Sequence, residues 1–344
     1  MKSYDRILRA VYAQPWAIQP EKLEAIIGFL ELKSFGVDPA VEIVADVTAA
    51  GQMMAARAKL TATSGGGAVA VLPLYGIIGH RANVTQGISG PGGTSTEMFT
   101  AQFRMALKDP KVTAIVIDVD SPGGAVGGVP ELADEIYSAR GQKPIIAVAN
   151  TLMASAAYWI ACAASEIVAS PSAMIGSIGV FSAHEDQSKA LNSSGVKVTL
   201  ISAGKYKTEG NQYEPLSEEA LGAKQAMVNE FYGSFVRAVA HGRNVKAEDV
   251  RNGYGQGRVL SAKQSVQAGL ADRVGTLDDV LAKYGVGTGS NRQAMRAEAE
   301  IDVAAETVSL EISAVDTVAD PSLEAHGYEA QVALFRLRMA LAQQ

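Results

Sequence analysis

Short apolar runs rich in β-branched residues recur along the middle of the chain: Val69–Leu74, Ala114–Val119, Pro144–Val148, Glu166–Ala169, Ile175–Phe181 and Val196–Ile201. Each has the length of a strand rather than a helix, and runs this continuous in apolar character are expected of strands buried on both faces. Between most of them lie segments with apolar residues three and four apart: Met98–Leu107, Pro130–Arg140, Ala156–Ala164 and Glu185–Leu191. Alternating strands and helices predict an α/β fold with a largely parallel sheet. A long helix over Glu218–Ala240 and shorter ones over Ala262–Ala268 and Leu277–Lys283 complete this region.

The flanks have different patterns. Ile18–Leu32 has helical spacing (Leu23, Ile26, Ile27, Leu30) with Pro20 near its start, and Val44–Leu60 is Ala/Met-rich and predicted helical. Ser64-Gly-Gly-Gly67 reads as a joint. After Gly285 the chain becomes acidic and Ala/Glu-rich. Glu298–Ala319 reads as a linker and Leu323–Leu341 as an amphipathic helix. The expected organisation is a helical extension and linker over 1–67, an α/β domain over 68–285 and a poorly ordered acidic tail over 286–344.

Composition narrows the function. The 344 residues are 48% hydrophobic and 19% charged, which suits a globular protein and excludes wholesale disorder. A net charge of −6 disfavours non-specific nucleic-acid binding. The single cysteine, Cys162, excludes disulfides within the chain and multi-cysteine metal sites; its expected role is core packing. The four histidines, His80, His184, His241 and His326, fall in no zinc motif. No stretch reaches the ~20 apolar residues of a membrane span, and Met1–Arg9 lacks a following apolar core. The expectation is a protein without metal, cofactor, membrane or nucleic-acid partner, located in the cytoplasm.

Four short segments could carry chemistry. In Asp118-Val-Asp-Ser-Pro-Gly-Gly124, two glycines after a strand could expose backbone N–H groups to a developing oxyanion. The plainer expectation is a tight strand-to-helix turn. Ser155, in Thr151-Leu-Met-Ala-Ser-Ala-Ala-Tyr-Trp159, sits where a strand gives way to a helix. A serine there is ordinarily an N-cap. It could instead be a nucleophile, with the Ala156 N–H beside it as an oxyanion donor, although the G-x-S-x-G signature of a nucleophile elbow is absent. Ile175-Gly-Ser-Ile-Gly-Val180 places Ser177 at the small centre of a strand. Lys205 and Lys207 lie in Ser202-Ala-Gly-Lys-Tyr-Lys-Thr-Glu-Gly210. Either could be a solvated loop lysine, or a base if burial holds it neutral.

Together, Asp120-Ser-Pro-Gly-Gly124, Met153-Ala-Ser-Ala-Ala-Tyr-Trp159, Gly176-Ser-Ile-Gly-Val180, Gly204-Lys-Tyr-Lys207, and Gly257-Arg-Val-Leu260 with Ala268-Gly-Leu-Ala-Asp272 resemble the signal peptide peptidase A family of serine-lysine peptidases. The resemblance covers about Val69–Tyr284. It implies a ClpP/crotonase-like spiral of βαβ units, with Ser155 as nucleophile, Lys207 as general base and Ser177 as the residue that orients the lysine. Gly123 or Gly124, with Ala156, would form the oxyanion hole. It also implies homo-oligomeric rings in which neighbours complete one site. Gln14-Pro-Trp-Ala-Ile-Gln-Pro-Glu-Lys22 resembles the phage branch, the head (prohead) maturation proteases. That branch implies scaffold, capsid or portal proteins as substrates inside the immature head, in the host cytoplasm. The competing readings are a crotonase-like acyl-CoA enzyme on the same fold and a non-catalytic capsid or scaffold component.

Overall fold

The computed structural model describes Leu8 and residues 11–12, 14–34, 60–62, 67–81 and 93–286. In chain order the elements are β1 (Trp16–Ile18), α1 (Pro20–Ser34), β2 (Leu60–Ala62), β3 (Ala68–Gly79), β4 (Thr94–Ser95), α2 (Thr96–Lys108), β5 (Val112–Ala125) and α3 (Val129–Ser138). Then come β6 (Ile145–Ala154), α4 (Ala156–Ala161), β7 (Glu166–Ala169), β8 (Met174–Gly176), α5 (Ser188–Ser193) and α6 (Glu218–Arg243). The last described elements are α7 (Ala247–Gly253), β9 (Val259–Ser261), α8 (Ala262–Ala268), β10 (Arg273–Val274) and α9 (Leu277–Lys283).

The main sheet runs β10-β7-β6-β5-β3-β2, parallel throughout except for β2 on β3. The expected α/β class with a largely parallel sheet is what the structure shows. Side chains alternate across it, as the pleat requires. Ile115, Ile117 and Val119, with Ile145, Ala147 and Ala149, face one core covered by α2, α3, α4 and α6. Ala114, Val116, Ile146 and Val148 face the other, which α9 closes with Val280 and Leu281. The far end of β6 stays on β5 at Met153 while its other edge passes from β7 to β8, which pairs antiparallel with β9. Ser155 follows directly on this three-strand pairing.

Charged side chains pin the helix ends. The Arg140 guanidinium donates to the carbonyls of Cys162 (2.9 Å), Ala163 (2.7 Å), Ala164 (2.5 Å) and Gly242 (3.0 Å), gathering the end of α4 against α6. Arg243 donates to Asp272 at 2.6 Å, and Asp272 also accepts the Ile167 N–H at 2.7 Å. Burial pushes the Asp272 carboxyl up, but the Arg243 guanidinium and the Ile167 N–H outweigh it, so its pKa lies below the ordinary carboxylate value. A depressed carboxylate stabilises the fold above its unfolded pKa of about 3.9, and that contribution is lost as pH falls through the lower folded value. Asp272→Asn should therefore melt lower than wild type at neutral pH, and the gap should close on acidification below about pH 4. A gap that is constant with pH in thermal melts would refute this linkage.

Several expectations are corrected. Ile18 belongs to β1, and the helix begins at Pro20, whose fixed φ and missing N–H suit a first helical position. The run Ile175–Phe181 is a strand only to Gly176, and the Glu185–Leu191 helix is displaced to Ser188–Ser193. Val196–Ile201 forms no strand, and Ile201 is 95% exposed. The run has the composition of a strand, but among the described residues no strand pairs with it; Val196 N–H donates to the Leu191 carbonyl at 2.9 Å instead. The expected helix over Val44–Leu60 (Leu60 itself opens β2), most of the glycine joint and the tail over 287–344 lie outside the described residues.

Candidate active site

Ser155 turns the chain from β6 into α4 at φ 55°, ψ −119°. Positive φ is costly for a residue with a Cβ, of order 1–3 kcal/mol, and persists only where the surroundings impose it. Here the Ser155 N–H donates to the Gly176 carbonyl at 2.8 Å, and Trp159 N–H closes the first helical turn on the Ser155 carbonyl at 2.9 Å. The expected N-cap role is not realised. Ser95, Ser217, Ser261 and Thr276 all cap helices through their side chains, whereas the Ser155 hydroxyl makes no capping bond. Its Oγ instead makes a long contact of 3.5 Å to the Gly179 carbonyl. A strained strand-turn-helix corner thus exists without the G-x-S-x-G signature. Met153 and Ala157, both fully buried, stand where the glycines of that signature would be, and Ala154 and Ala156 are the serine's small immediate neighbours.

Gly123 and Gly124 do not form a tight turn. They lie inside β5, whose extended backbone continues to Ala125. A Cβ on Gly124 would fall 1.9 Å from the Ile78 carbonyl oxygen, so glycine is required by the close approach of β3. A Cβ on Gly123, at φ +99°, would meet Ala17 O at 2.2 Å and Ser155 Cβ at 2.9 Å. Gly123 is therefore adjacent to the nucleophile candidate. Its N–H, however, donates to Ser121 Oγ at 3.1 Å, and Ser121 Oγ donates to Gly76 O at 2.6 Å. Ala156 opens α4, where the first N–H groups have no intrahelical acceptor.

Ser177 is brought beside Ser155. β6 and β8 are parallel with Ala154 opposite Gly176, so the two serines follow in step. Ser177 also has positive φ, 54°, is 6% exposed, and donates its N–H to the Arg258 carbonyl at 2.8 Å. Lys207 is not brought to them. It lies on an exposed loop, and its side chain makes no hydrogen bond or ion pair with any described residue. Lys205, on the same loop, is held by Glu219 at 3.0 Å and by the Tyr206 hydroxyl at 2.8 Å.

Residues 138–289 match peptidase family S49. The chain contains a peptidase family S49 domain. Ser155, Ser177 and Lys207 fall inside the matched stretch, and Gly123 and Gly124 precede it. Relatives include the head-tail preconnector protein GP5 of Enterobacteria phage P21, 32% identical over 65% of this chain and 44% of the relative. Capsid assembly protease C of Escherichia phage lambda is 33% identical over 62% of this chain and 48% of the relative. The chain thus spans less than half the length of these two relatives. Among solved structures, a ClpP1 point mutant from Listeria monocytogenes aligns at TM-score 0.39 and 15% identity, covering 61% of this chain and 94% of that one.

In the S49 domain an open cavity of about 510 Å³ lies next to the Ser155 corner, lined by Gly179, Val180, Asn229, Tyr232, Arg251 and others. Cys162 stays within the core, as its helical position predicts. Its thiol donates to the Trp159 carbonyl at 3.0 Å, and burial pushes it up to about 12. Among the described residues no three His, Cys, Asp or Glu side chains converge to hold a metal, and no helix is long and apolar enough to cross a membrane. Three participants escape the sequence reading: Ser121, Gly179 and the strand Trp16–Ile18. The last is three residues long and flanked by Pro15 and Pro20, too short for a periodic signal of its own.

Proposed function

We propose that this chain is a serine endopeptidase using Ser155 and Lys207, and that it serves phage capsid assembly by cutting scaffold, capsid or portal proteins. The observation that carries the reading is the strained Ser155 corner, set against a glycine-bearing strand and beside Ser177 within the S49 match. The likeness to the phage P21 and lambda proteins supports the capsid setting, and with it the host cytoplasm and the immature head as the place of action.

Neutral Lys207 takes the Ser155 proton as Oγ attacks the scissile carbonyl. The oxyanion forms against the Ala156 N–H and an N–H of the Gly123–Gly124 pair; one such donor is typically worth about 3 kcal/mol of barrier. The protonated lysine gives its proton to the leaving amine, and water resolves the acyl-enzyme. Because Lys207 stands on an exposed loop, we assign its delivery to a neighbouring copy in a homo-oligomer. The run Val196–Ile201, which leads into that loop and pairs with no strand among the described residues, is the edge such a neighbour would engage.

The test is proteolysis of a purified scaffold protein, followed by intact mass across pH. Cleavage should rise toward mildly alkaline pH, because only the neutral amine accepts the serine proton. Extended substrates with small or apolar residues at the cut should be preferred. Cleavage unchanged from acidic pH upward would remove the lysine base, and no cleavage by the assembled protein would remove the peptidase.

A further inference from the structure

The strand β1 occupies a place that a peptide substrate would need. It lies antiparallel on β5, with Ile18 opposite Gly123, Ala17 opposite Gly124 and Trp16 opposite Ala125. Its other edge meets the segment after Ser177. Trp16 N–H donates to the Phe181 carbonyl at 2.8 Å, and Phe181 N–H donates to the Trp16 carbonyl at 2.9 Å. An extended chain is therefore held between two backbone edges, one carrying the glycine pair and the other continuing from Gly179. The Ala17 carbonyl oxygen and Ser155 Cβ both fall within 3 Å of the point a Gly123 Cβ would occupy. Beneath this strand Ser155 is 1% exposed.

Edge pairing is the general way an extended peptide is bound, with main-chain bonds giving affinity and alternate side chains giving selectivity. Only one strand fits between Ala125 and Phe181, so an incoming strand and β1 exclude each other. We infer that β1 is an internal ligand of the substrate groove, which keeps Ser155 covered until an extended peptide replaces it. This rests on the peptidase reading above.

The side chains of β1 define what the groove accepts. Ala17 is fully buried and faces the main core, where little more than a methyl group fits. Trp16 and Ile18 point the other way, into a separate apolar cluster with Val11, Leu23, Ile26 and Leu30. The matching ligand class is an extended peptide with a small residue opposite Gly124, its neighbours on either side meeting Ala125, Ile77 and Phe181, the members of that cluster that stay when β1 leaves. That separate cluster also makes release physically reasonable. Among buried residues it is built largely from the chain's own 11–30 segment and meets the rest mainly through Ala125, Ile77 and Phe181. Units of this kind open locally without global unfolding. With the Gly123 N–H held by Ser121 and Lys207 on its exposed loop, β1 lies in the groove as an uncut occupant.

A cysteine pair tests this. Trp16 and Phe181 exchange both hydrogen bonds, a pairing with Cα atoms about 5.5 Å apart, within disulfide reach. In the full-length Trp16→Cys/Phe181→Cys chain, oxidation should slow fluorophosphonate labelling of Ser155 at least tenfold, and reductant should restore it. Ala17→Glu, which places a carboxylate in a fully buried position, should expel β1 and raise labelling at least tenfold over wild type. In a Ser155→Ala background, a fluorescein-labelled peptide copying residues 11–22 should bind the Ala17→Glu chain and not the oxidised chain. Equal labelling of oxidised and reduced forms would overturn the inference, as would an intact mass showing cleavage within residues 16–18. Peptide binding without any Ser155 labelling would retain the groove and remove the peptidase. Neither binding nor labelling would remove both.

Discussion

Ser155→Ala should abolish cleavage, with kcat expected to fall by on the order of 10⁴- to 10⁶-fold, the scale seen when a covalent nucleophile is removed. The fold should survive, because the Ser155 side chain makes only the 3.5 Å contact to Gly179 while its backbone bonds to Gly176 and Trp159 persist. Ser155→Gly should be equally inactive yet more stable by about 1 kcal/mol, because glycine adopts φ 55° without strain. Lys207→Ala should be inactive for the same chemical reason. Its exposed position predicts something more. If a neighbour supplies the lysine, mixing and reassembling the two inactive variants restores activity, since some interfaces then pair an intact Ser155 with an intact Lys207. Recovery of a sizeable fraction of wild-type turnover, set by the mixing ratio, is the expected result. Assembled hybrids that stay inactive would place both residues on one chain. Single variants that still cut would refute the Ser155–Lys207 assignment itself.

Gly124→Ala is expected to be among the most damaging single-methyl additions in the fold. The new Cβ would lie 1.9 Å from the Ile78 carbonyl oxygen and 2.6 Å from the Ile78 N and C atoms. All three are backbone atoms of the paired strand β3, so relief requires moving the strand rather than a rotamer. A loss of about 3 kcal/mol or more follows, toward the severe end for point substitutions. Gly222→Ala is the control. It lies in α6 with nothing within 4 Å of its Cβ, and should stabilise by roughly 0.5–1 kcal/mol through helix propensity. Denaturant melts of the two should move in opposite directions. Near-equal midpoints would mean that the β3–β5 approach is looser than the geometry gives.

Much of the architecture was legible along the chain because it rests on local periodicity. The helices Ala262–Ala268 and Leu277–Lys283 and the strand Glu166–Ala169 have the expected limits. The buried strands at Val69, Ala114 and Ile145 read as continuous apolar runs because both faces are covered. The site was legible in its composition: Ser155, Ser177 and the glycine pair stand in quotable motifs, and three of those four residues carry positive φ. Its geometry was not. Ser155 looked like a cap and Gly123–Gly124 like a turn, because residue type alone does not reveal which backbone approaches from elsewhere.

By itself, the sequence determined the α/β alternation and the elements that periodicity dictates, and it named the candidate residues for the chemistry. The tertiary structure decided where they meet. It seated Trp16–Ile18 against Gly123–Ala125 and Phe181, and it left Val196–Ile201 unpaired with any described strand and Lys207 on an exposed loop. The physical reason is that a helix satisfies its backbone within itself, whereas a strand does so only against another stretch of chain. Local pattern announces the first, and only the assembled fold chooses the partner of the second.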